Sequence, residues 1–184
     1  MHKTATKSLL NPAQILSWLG VAAGLRIADM GCGSTGHFTF PSAQSVGHFG
    51  VVYAVDVQRA MVKSIEAAAH QRNLKNVIGV WADIERYGST PIPEKTIDLA
   101  LLVNTLSHAR RQSAMLAESA RLLKRGGHLL VIEWHQDRHP LRSAGIKSVD
   151  PVRLVEAAEE AGLIPVLSFT PGEWHAGWIF TKQK

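Results

Sequence analysis

The chain has 184 residues, of which 46% are hydrophobic and 19% are charged, and its formal net charge is +5. This length suits one domain with a sizeable core, and no apolar stretch is long enough to span a membrane. The chain begins without the apolar segment of a signal peptide, and its single cysteine, Cys32, excludes an internal disulfide framework. We therefore expect a soluble, cytoplasmic protein with a single domain over residues 1–184, in which residues 1–10 are a flexible segment.

The predicted elements alternate between helix and strand. Asn11 caps a first helix that begins at Pro12 and that Gly20 or Gly24 ends. A strand at 25–30 follows, and then a short helix that tolerates Pro41 only in its first turn. The later elements are a strand at 51–57, a helix at 58–73, a strand at 77–83, a strand beginning at Ile97, a helix from 111 that Gly126 or Gly127 ends, a strand at 128–135, a helix that Asp150 caps and Pro151 begins, and strands at 164–170 and 174–182.

The spacing of these elements predicts the fold class. Five strands separated by helix-length segments indicate right-handed crossovers and a parallel sheet covered by helices on both faces. Only "PGE" separates the last two strands, which is too short for a parallel crossover, so they should form an antiparallel hairpin at the sheet edge. The sequence thus predicts an α/β protein with a seven-stranded, mostly parallel sheet and an antiparallel C-terminal hairpin.

Three glycines follow the first predicted strand, in "RIADMGCGSTGHF". Ligands of open parallel sheets bind beyond the carboxyl ends of the strands, and Gly31, Gly33 and Gly36 fall at that edge. Glycine there lets the backbone approach a ligand closely. The spacing is the G-x-G-x-x-G of dinucleotide enzymes. A nicotinamide cofactor and a tight turn without any ligand are therefore both alternatives.

An acidic residue ends each of the next two strands. Asp56 comes 20 residues after Gly36, where a carboxylate can accept both hydroxyls of an adenosine ribose, although it can also cap the helix that follows. Asp83 can accept from an adenine amino group while Ile84 packs on the ring. Its alternative role is that of a turn or capping aspartate.

The motifs taken together resemble class I S-adenosylmethionine-dependent methyltransferases. The resemblance rests on "IADMGCGSTG", "VYAVDV", "WADI", "IDLALLVNTLSH", "RLLKRGGHLLVIEWH" and the terminal hairpin, and it spans residues 11–182. The stretch "GHFTFPSAQSVGHFGVVYAVDVQ" resembles the ubiquinone/menaquinone-biosynthesis type of small-molecule methyltransferase domain. This resemblance implies a Rossmann-like fold, one methyltransferase domain, S-adenosylmethionine as cofactor with S-adenosylhomocysteine as product, and a small-molecule acceptor.

The same resemblance implies roles for individual residues. Asp29 supports the methionine amino group, Asp56 binds the ribose and Asp83 binds the adenine amine. The backbone around Cys32 passes beneath the cofactor, and Asn104 lines its methionine end. The full set implied for cofactor binding is Asp29, Gly31, Cys32, Gly33, Gly36, Asp56, Val57, Asp83, Ile84 and Asn104. The chain departs from the family's usual G-x-G-x-G by one extra residue before Gly36, which we expect to reshape the loop around the methionine carboxylate.

Methyl transfer from a sulfonium is an in-line displacement, so the protein mainly has to hold the acceptor in line. A general base is needed only when the acceptor loses a proton. His108 is the candidate base, with a surface histidine near a helix start as the alternative. The other candidates at the ends of the fourth and fifth strands are Asn104, Ser107, Glu133, Trp134 and His135.

Several other side chains are expected to have no chemical role. Cys32 has no base paired with it in sequence, so packing beside the cofactor explains it better than nucleophilic catalysis. A metal site at His135, Asp137 and His139 lacks further ligands, so we expect a solvated loop and no metal. The hairpin residues Trp174, His175 and Trp178 are expected to be sheet-face and edge residues.

The sequence also leaves other functions open. The positive charge slightly favours an RNA or protein methyltransferase, but the basic residues are scattered, and the only short clusters are 109–111 and 123–125. The fourth strand is followed by "NTLS" and not by the N-P-P-Y signature of amino-nitrogen methylation. A non-catalytic binding module would not need three acids at strand ends, and the hairpin disfavours an oxidoreductase. The acceptor atom is not determined, and the acceptor pocket is either open or covered by the second subunit of a homodimer.

Overall fold

A computed structural model of the chain describes residues 10–135 and 148–183. The elements within these residues, in chain order, are α1 (Pro12–Trp18), β1 (Arg26–Met30), α2 (Thr39–Val46), β2 (Val51–Asp56), α3 (Arg59–Gln71), β3 (Val77–Trp81), β4 (Ile97–Val103), a 3₁₀ turn (Leu106–His108), α4 (Gln112–Leu122), β5 (Leu123–Trp134), α5 (Pro151–Glu160), β6 (Leu163–Gly172) and β7 (His175–Lys182).

The strands form one seven-stranded sheet in the order β3-β2-β1-β4-β5-β7-β6. Strands β1 to β5 pair in parallel, whereas β7 is antiparallel to both β5 and β6. This arrangement confirms the predicted Rossmann-like sheet with its antiparallel C-terminal hairpin. The direction of winding reverses between β1 and β4, and ligands of such sheets bind at that reversal.

The core lies in two layers, one on each face of the sheet. Helices α1, α2 and α3 pack on one face, where Ile27 of β1 lies in an apolar cluster with the fully buried Leu16. Helices α4 and α5 cover the other face, where the next residue of β1, Ala28, joins a cluster with Leu116 and Leu154. Alternate strand residues thus serve opposite layers, as expected for a sheet buried on both faces.

Three predicted features of the helices are confirmed. The Asn11 side chain accepts a hydrogen bond from the Gln14 amide at 3.1 Å, and Asp150 caps α5 in the same way. Pro41 is the third residue of α2, inside its first turn. None of the helices in the described ranges is long and apolar enough to cross a membrane.

The predicted end of α4 is wrong. The helix ends at Leu122 and not at Gly126 or Gly127, which lie inside β5. The pairing of β4 with β5 jumps from Ile97–Leu123 to Leu99–His128, so the residues between form a bulge. Gly126 has a φ of +75° there, and a Cβ on Gly127 would lie 3.0 Å from a backbone oxygen. The two glycines therefore serve a bulged strand.

Candidate functional site

A pocket of about 250 Å³ lies at the carboxyl edge of the sheet, where β1, β2, β3 and β4 end. Seven of its lining residues were predicted from the sequence, namely Gly31, Asp56, Val57, Asp83, Ile84, Asn104 and His108. The pocket also takes in Gln58, Glu85, Thr105 and Met115, which sequence reasoning missed. Gln58 and Thr105 adjoin predicted residues, but no local signal marks Met115, which reaches the pocket from α4.

The turn after β1 requires glycine at Gly31. This residue has a φ of +92°, and the amides of Gly31 and Cys32 both donate to the Val55 carbonyl, at 2.8 and 3.0 Å. A Cβ on Gly31 would lie 2.5 Å from the Thr105 side chain. Gly33 differs, because a Cβ there would meet nothing within 4 Å. The backbone is thus packed at Gly31 against Thr105, which follows the end of β4, and is open at Gly33, where a ligand has room.

Asp56 combines the two roles considered for it. Its side chain is 9% exposed, and one carboxylate oxygen accepts from the Gln58 amide at 2.8 Å, which fixes the start of α3. The other oxygen accepts from the Gly33 amide at 3.1 Å and so ties the glycine loop to β2. Each carboxylate oxygen can accept more than one hydrogen bond. Asp56 therefore retains capacity for hydroxyl donors within the pocket that it lines.

The loop after β3 brings Asp83 and Ile84 to the same pocket. Asp83 is half-buried, and its Oδ1 accepts from the Glu85 amide at 3.0 Å, which is the geometry of a turn aspartate. Ile84 is buried at 5% exposure. A planar apolar group in the pocket would therefore meet an aliphatic surface beside a carboxylate.

Asp29 is a buried carboxylate close to this pocket but not part of its lining. It is 4% exposed and accepts a hydrogen bond from the Thr39 hydroxyl at 2.6 Å. Burial, and to a lesser extent the neighbouring charge of Asp56, raise its pKa to about 6 against the lowering effect of the Thr39 hydrogen bonds. A cation bound beside Asp29 would stabilise the ionised form.

Asn104 lies at the end of β4 with an unusual backbone and an unsatisfied side chain. Its φ is +52°, and its Oδ1 is buried with no hydrogen-bond partner in the described part of the chain. Its Nδ2 lies 3.4 Å from Nε2 of His175. Buried amide oxygens are normally hydrogen-bonded. The Asn104 oxygen is therefore a ready acceptor for a donor group of a ligand.

His175 was predicted at the sheet face or edge, but it is a buried residue of β7, which lies inside the sheet between β5 and β6. It is 3% exposed and stacks against Trp134, with ring centroids 4.3 Å apart. The pairing of Trp134 with His175 between β5 and β7 carries the histidine to the strand ends, next to Asn104. Trp178 is likewise buried in the core, at 9% exposure.

Glu133 supports the turn that carries His108. Its side chain is fully buried at the end of β5, and its Oε1 accepts from the amides of Leu106 and Ser107, at 2.6 and 3.3 Å. Burial raises the pKa of this carboxyl above its usual value. His108 itself is exposed and lines the pocket. The histidine that could contact a substrate is thus held by a buried acid behind it.

The remaining candidates lie outside the pocket lining. Cys32 is 8% exposed, and burial together with the charges of Asp29 and Asp56 raises its thiol pKa, which leaves it neutral and a poor nucleophile. Gly36 packs against Phe40. Among residues 10–135 and 148–183, no cluster of three or more His, Cys, Asp or Glu side chains could hold a metal. Asp137 and His139 lie outside the described residues.

Comparison with known proteins identifies the family. Residues 28–131 match a family model described as a methyltransferase domain. The chain belongs to this methyltransferase family. It is 33% identical over 129 residues to the ubiquinone/menaquinone biosynthesis C-methyltransferase UbiE of Marinomonas sp. (strain MWYL1), and that match covers 70% of this chain and 50% of the relative. The chain thus spans about half the length of the curated relatives it matches.

Solved structures share the fold of this methyltransferase-family chain at low sequence identity. A SAM-dependent methyltransferase from Aquifex aeolicus superposes with a TM-score of 0.80 at 23% identity, covering 94% of this chain and 90% of that one. The cyclase SpnF superposes with a TM-score of 0.77 at 18% identity, over 94% of this chain and 79% of its own. A fold shared with a cyclase does not by itself fix the reaction.

Proposed function

We propose that this chain is an S-adenosylmethionine-dependent methyltransferase that acts on a small-molecule acceptor. The observation that carries the proposal is the convergence of three acceptor groups, on Asp56, Asp83 and Asn104, in one pocket at the reversal of the sheet. S-adenosylmethionine offers donors that match them: ribose hydroxyls, an adenine amino group and an α-ammonium. Membership of the methyltransferase family supports the same reaction.

The residues present fit this cofactor. Asp56 would hold the ribose, Asp83 would accept from the adenine amine while Ile84 packs on the ring, and the unsatisfied Asn104 oxygen would accept from the ammonium. The buried carboxyl of Asp29 adds a negative charge close by. The bound cofactor supplies a methyl group already activated on its sulfonium.

The remaining task of the protein is to orient an acceptor. The turn that Glu133 fixes presents His108 at the rim of the pocket, where the imidazole could hold a proton that the acceptor loses. An acceptor that loses no proton would need only the positioning. His108 is therefore proposed as a base for protic acceptors alone.

Two observations support a small acceptor over a nucleic acid. The relatives named UbiE carry out C-methylation in ubiquinone and menaquinone biosynthesis. The two short basic clusters flank opposite ends of α4, and an 11-residue helix separates them by about 16 Å. Lys124 of the second cluster is also paired with Asp98, at 2.7 Å. The two clusters are therefore not adjacent along the helix.

A methyl-transfer assay tests the proposal. Labelled S-adenosylmethionine is incubated with a panel of quinols, phenols and amines and, separately, with tRNA and an acceptor protein mixture. Label should appear in a small molecule, and at subsaturating S-adenosylmethionine the rate of labelling should fall about 10- to 100-fold with Asp56→Ala. Incorporation into RNA or protein alone would replace the small-molecule proposal by its nearest rival.

A further inference from the structure

The segment after β3 is attached to α4 by two acids, only one of which lines the pocket. Glu85 accepts from the amides of Arg110 and Arg111 at 3.1 and 2.8 Å, at the start of the helix. Glu118, two turns further along α4, is completely buried and does not line the pocket. The methyl-transfer reaction proposed above gives Glu118 no role.

Glu118 is the most heavily bonded carboxylate of the described residues. Its Oε2 accepts from the Gly88 amide at 2.7 Å, and its Oε1 accepts from the amide and hydroxyl of Thr90 at 3.1 and 2.5 Å. Arg121 binds both oxygens, at 2.8 and 2.7 Å. Burial alone would raise the pKa of Glu118, but the donors from Arg121, Thr90 and Gly88 outweigh it and lower the pKa to about 2. The carboxylate is therefore permanently ionised near neutral pH.

A short path of hydrogen bonds connects this carboxylate to Asp83. The Ser89 hydroxyl, between the two residues that Glu118 binds, donates to the Asp83 carbonyl at 2.6 Å. The Arg86 amide donates to the same carbonyl at 3.0 Å. Hydrogen bonds to the Asp83 carbonyl thus close the turn that begins at Asp83. Glu118 of α4 holds the other end of this turn in place through Gly88 and Thr90. The same helix supplies Met115 to the pocket wall.

We propose that Glu118 is a positioning residue that sets the distance between the Asp83 carboxylate and the purine edge of the bound ligand, and thereby selects a 6-amino purine over a 6-oxo purine. This inference rests on the proposed function. A hydrogen bond to the amine depends on donor–acceptor distance and angle, and it weakens steeply when either is wrong. A carboxylate facing a 6-oxo group would meet a second acceptor and repel it. When the loop holds the Asp83 carboxylate at hydrogen-bonding distance from the purine, the protein therefore binds the 6-amino purine more tightly than the 6-oxo purine.

Substitution of Glu118 by Gln is the direct perturbation. Glutamine has one acceptor oxygen, so its amino group must face one of the backbone amides that now donate to the carboxylate. The substitution also removes the negative charge that pairs with Arg121. The measured quantity is the ratio of dissociation constants for S-inosylhomocysteine and S-adenosylhomocysteine, obtained by calorimetry. The wild type should prefer the adenosyl ligand by about 10- to 100-fold, and Glu118→Gln should reduce that preference by about tenfold.

Three further variants complete the test. Thr90→Val keeps the side-chain shape, removes one donor to Glu118 and should reduce the ratio about threefold, so the proposal can still be tested if Glu118→Gln does not fold. Asp83→Asn should abolish the preference, because an amide can donate to the 6-oxo group. Asp98→Asn is the matched control. Asp98 also accepts from a backbone amide, of Arg26, and pairs with a cation, Lys124, but lies outside the pocket, so the ratio should not change.

The outcomes separate this inference from the proposed function. A wild type that binds neither ligand would refute the cofactor assignment, and one that binds both equally would refute the role of Asp83. A wild-type preference that survives in folded Glu118→Gln, or in Thr90→Val, would show that Glu118 only stabilises the fold. If Glu118→Gln weakened the binding of both ligands equally, that result would also refute the proposal that Glu118 positions Asp83.

Discussion

Replacement of Asp29 by Asn should stabilise the ligand-free protein while it weakens cofactor binding. The pKa of Asp29 rises from 3.8 to about 6 on folding, mainly because the carboxyl is buried. One pKa unit corresponds to about 1.4 kcal/mol, so ionised Asp29 costs up to about 3 kcal/mol of folding free energy at pH 7. Asparagine keeps an acceptor for the Thr39 hydroxyl and removes the charge.

The pH dependence of this effect has a definite sign. A raised folded-state pKa favours the protonated carboxyl, so its stability contribution is complete below about pH 4 and is lost as the pH rises to about 6. Wild type and Asp29→Asn should therefore unfold alike near pH 4. Above about pH 6 the variant should be more stable by up to about 3 kcal/mol.

Urea unfolding at pH values from 4 to 8 measures this difference, with free energies from linear extrapolation. Asp98→Asn is the control, because loss of a part-exposed pair with Lys124 should lower stability by at most about 1 kcal/mol. Calorimetry on Asp29→Asn should show weaker binding of S-adenosylhomocysteine, by about tenfold or more. Equal stability of wild type and variant at every pH would refute the argument that Asp29 is a destabilising buried carboxylate.

Three further predictions concern the pocket and its surroundings. Asp56→Ala should weaken cofactor binding about 10- to 100-fold, because the charge-assisted bonds to the ribose are lost; unchanged affinity by calorimetry would leave Asp56 as a helix cap only. Gly31→Ala should lower the thermal midpoint, because a Cβ there lies 2.5 Å from Thr105 and the φ is +92°; a melt like that of wild type would contradict this packing. Binding of tRNA or duplex DNA should be weak and should vanish near physiological salt; tight binding that survives there would support an RNA acceptor.

The sequence predicted the sheet and the strand-end acids because both follow from local patterns and general topological rules. Asp56 is the last residue of β2 and Asp83 follows the end of β3 by two residues, and parallel strands present their carboxyl ends at one edge. The helix end at Gly126 was predicted wrongly because glycine after a helical run is normally a C-cap. Its actual role depends on the bulged pairing of β5 with β4, which is a contact between distant segments.

The supporting residues of the site could not be predicted in the same way. His175 and Asn104 are 71 residues apart in sequence, and only the register of β7 on β5 brings them together. In the sequence pattern Glu118 is only one polar residue of a helix. Its partners are backbone amides of a loop that carries no recognisable motif. Side chains that act through tertiary contacts leave little trace in local sequence patterns.

The central claim is that the pocket at the ends of β1 to β4 binds S-adenosylmethionine, and calorimetric titration of the wild-type chain tests it most directly. S-adenosylhomocysteine and NAD are titrated separately, and each is then titrated into protein saturated with the other. We expect saturable one-to-one binding of S-adenosylhomocysteine that NAD neither imitates nor displaces. Binding of NAD with no response to S-adenosylhomocysteine would contradict the account and assign the glycine loop to a dinucleotide.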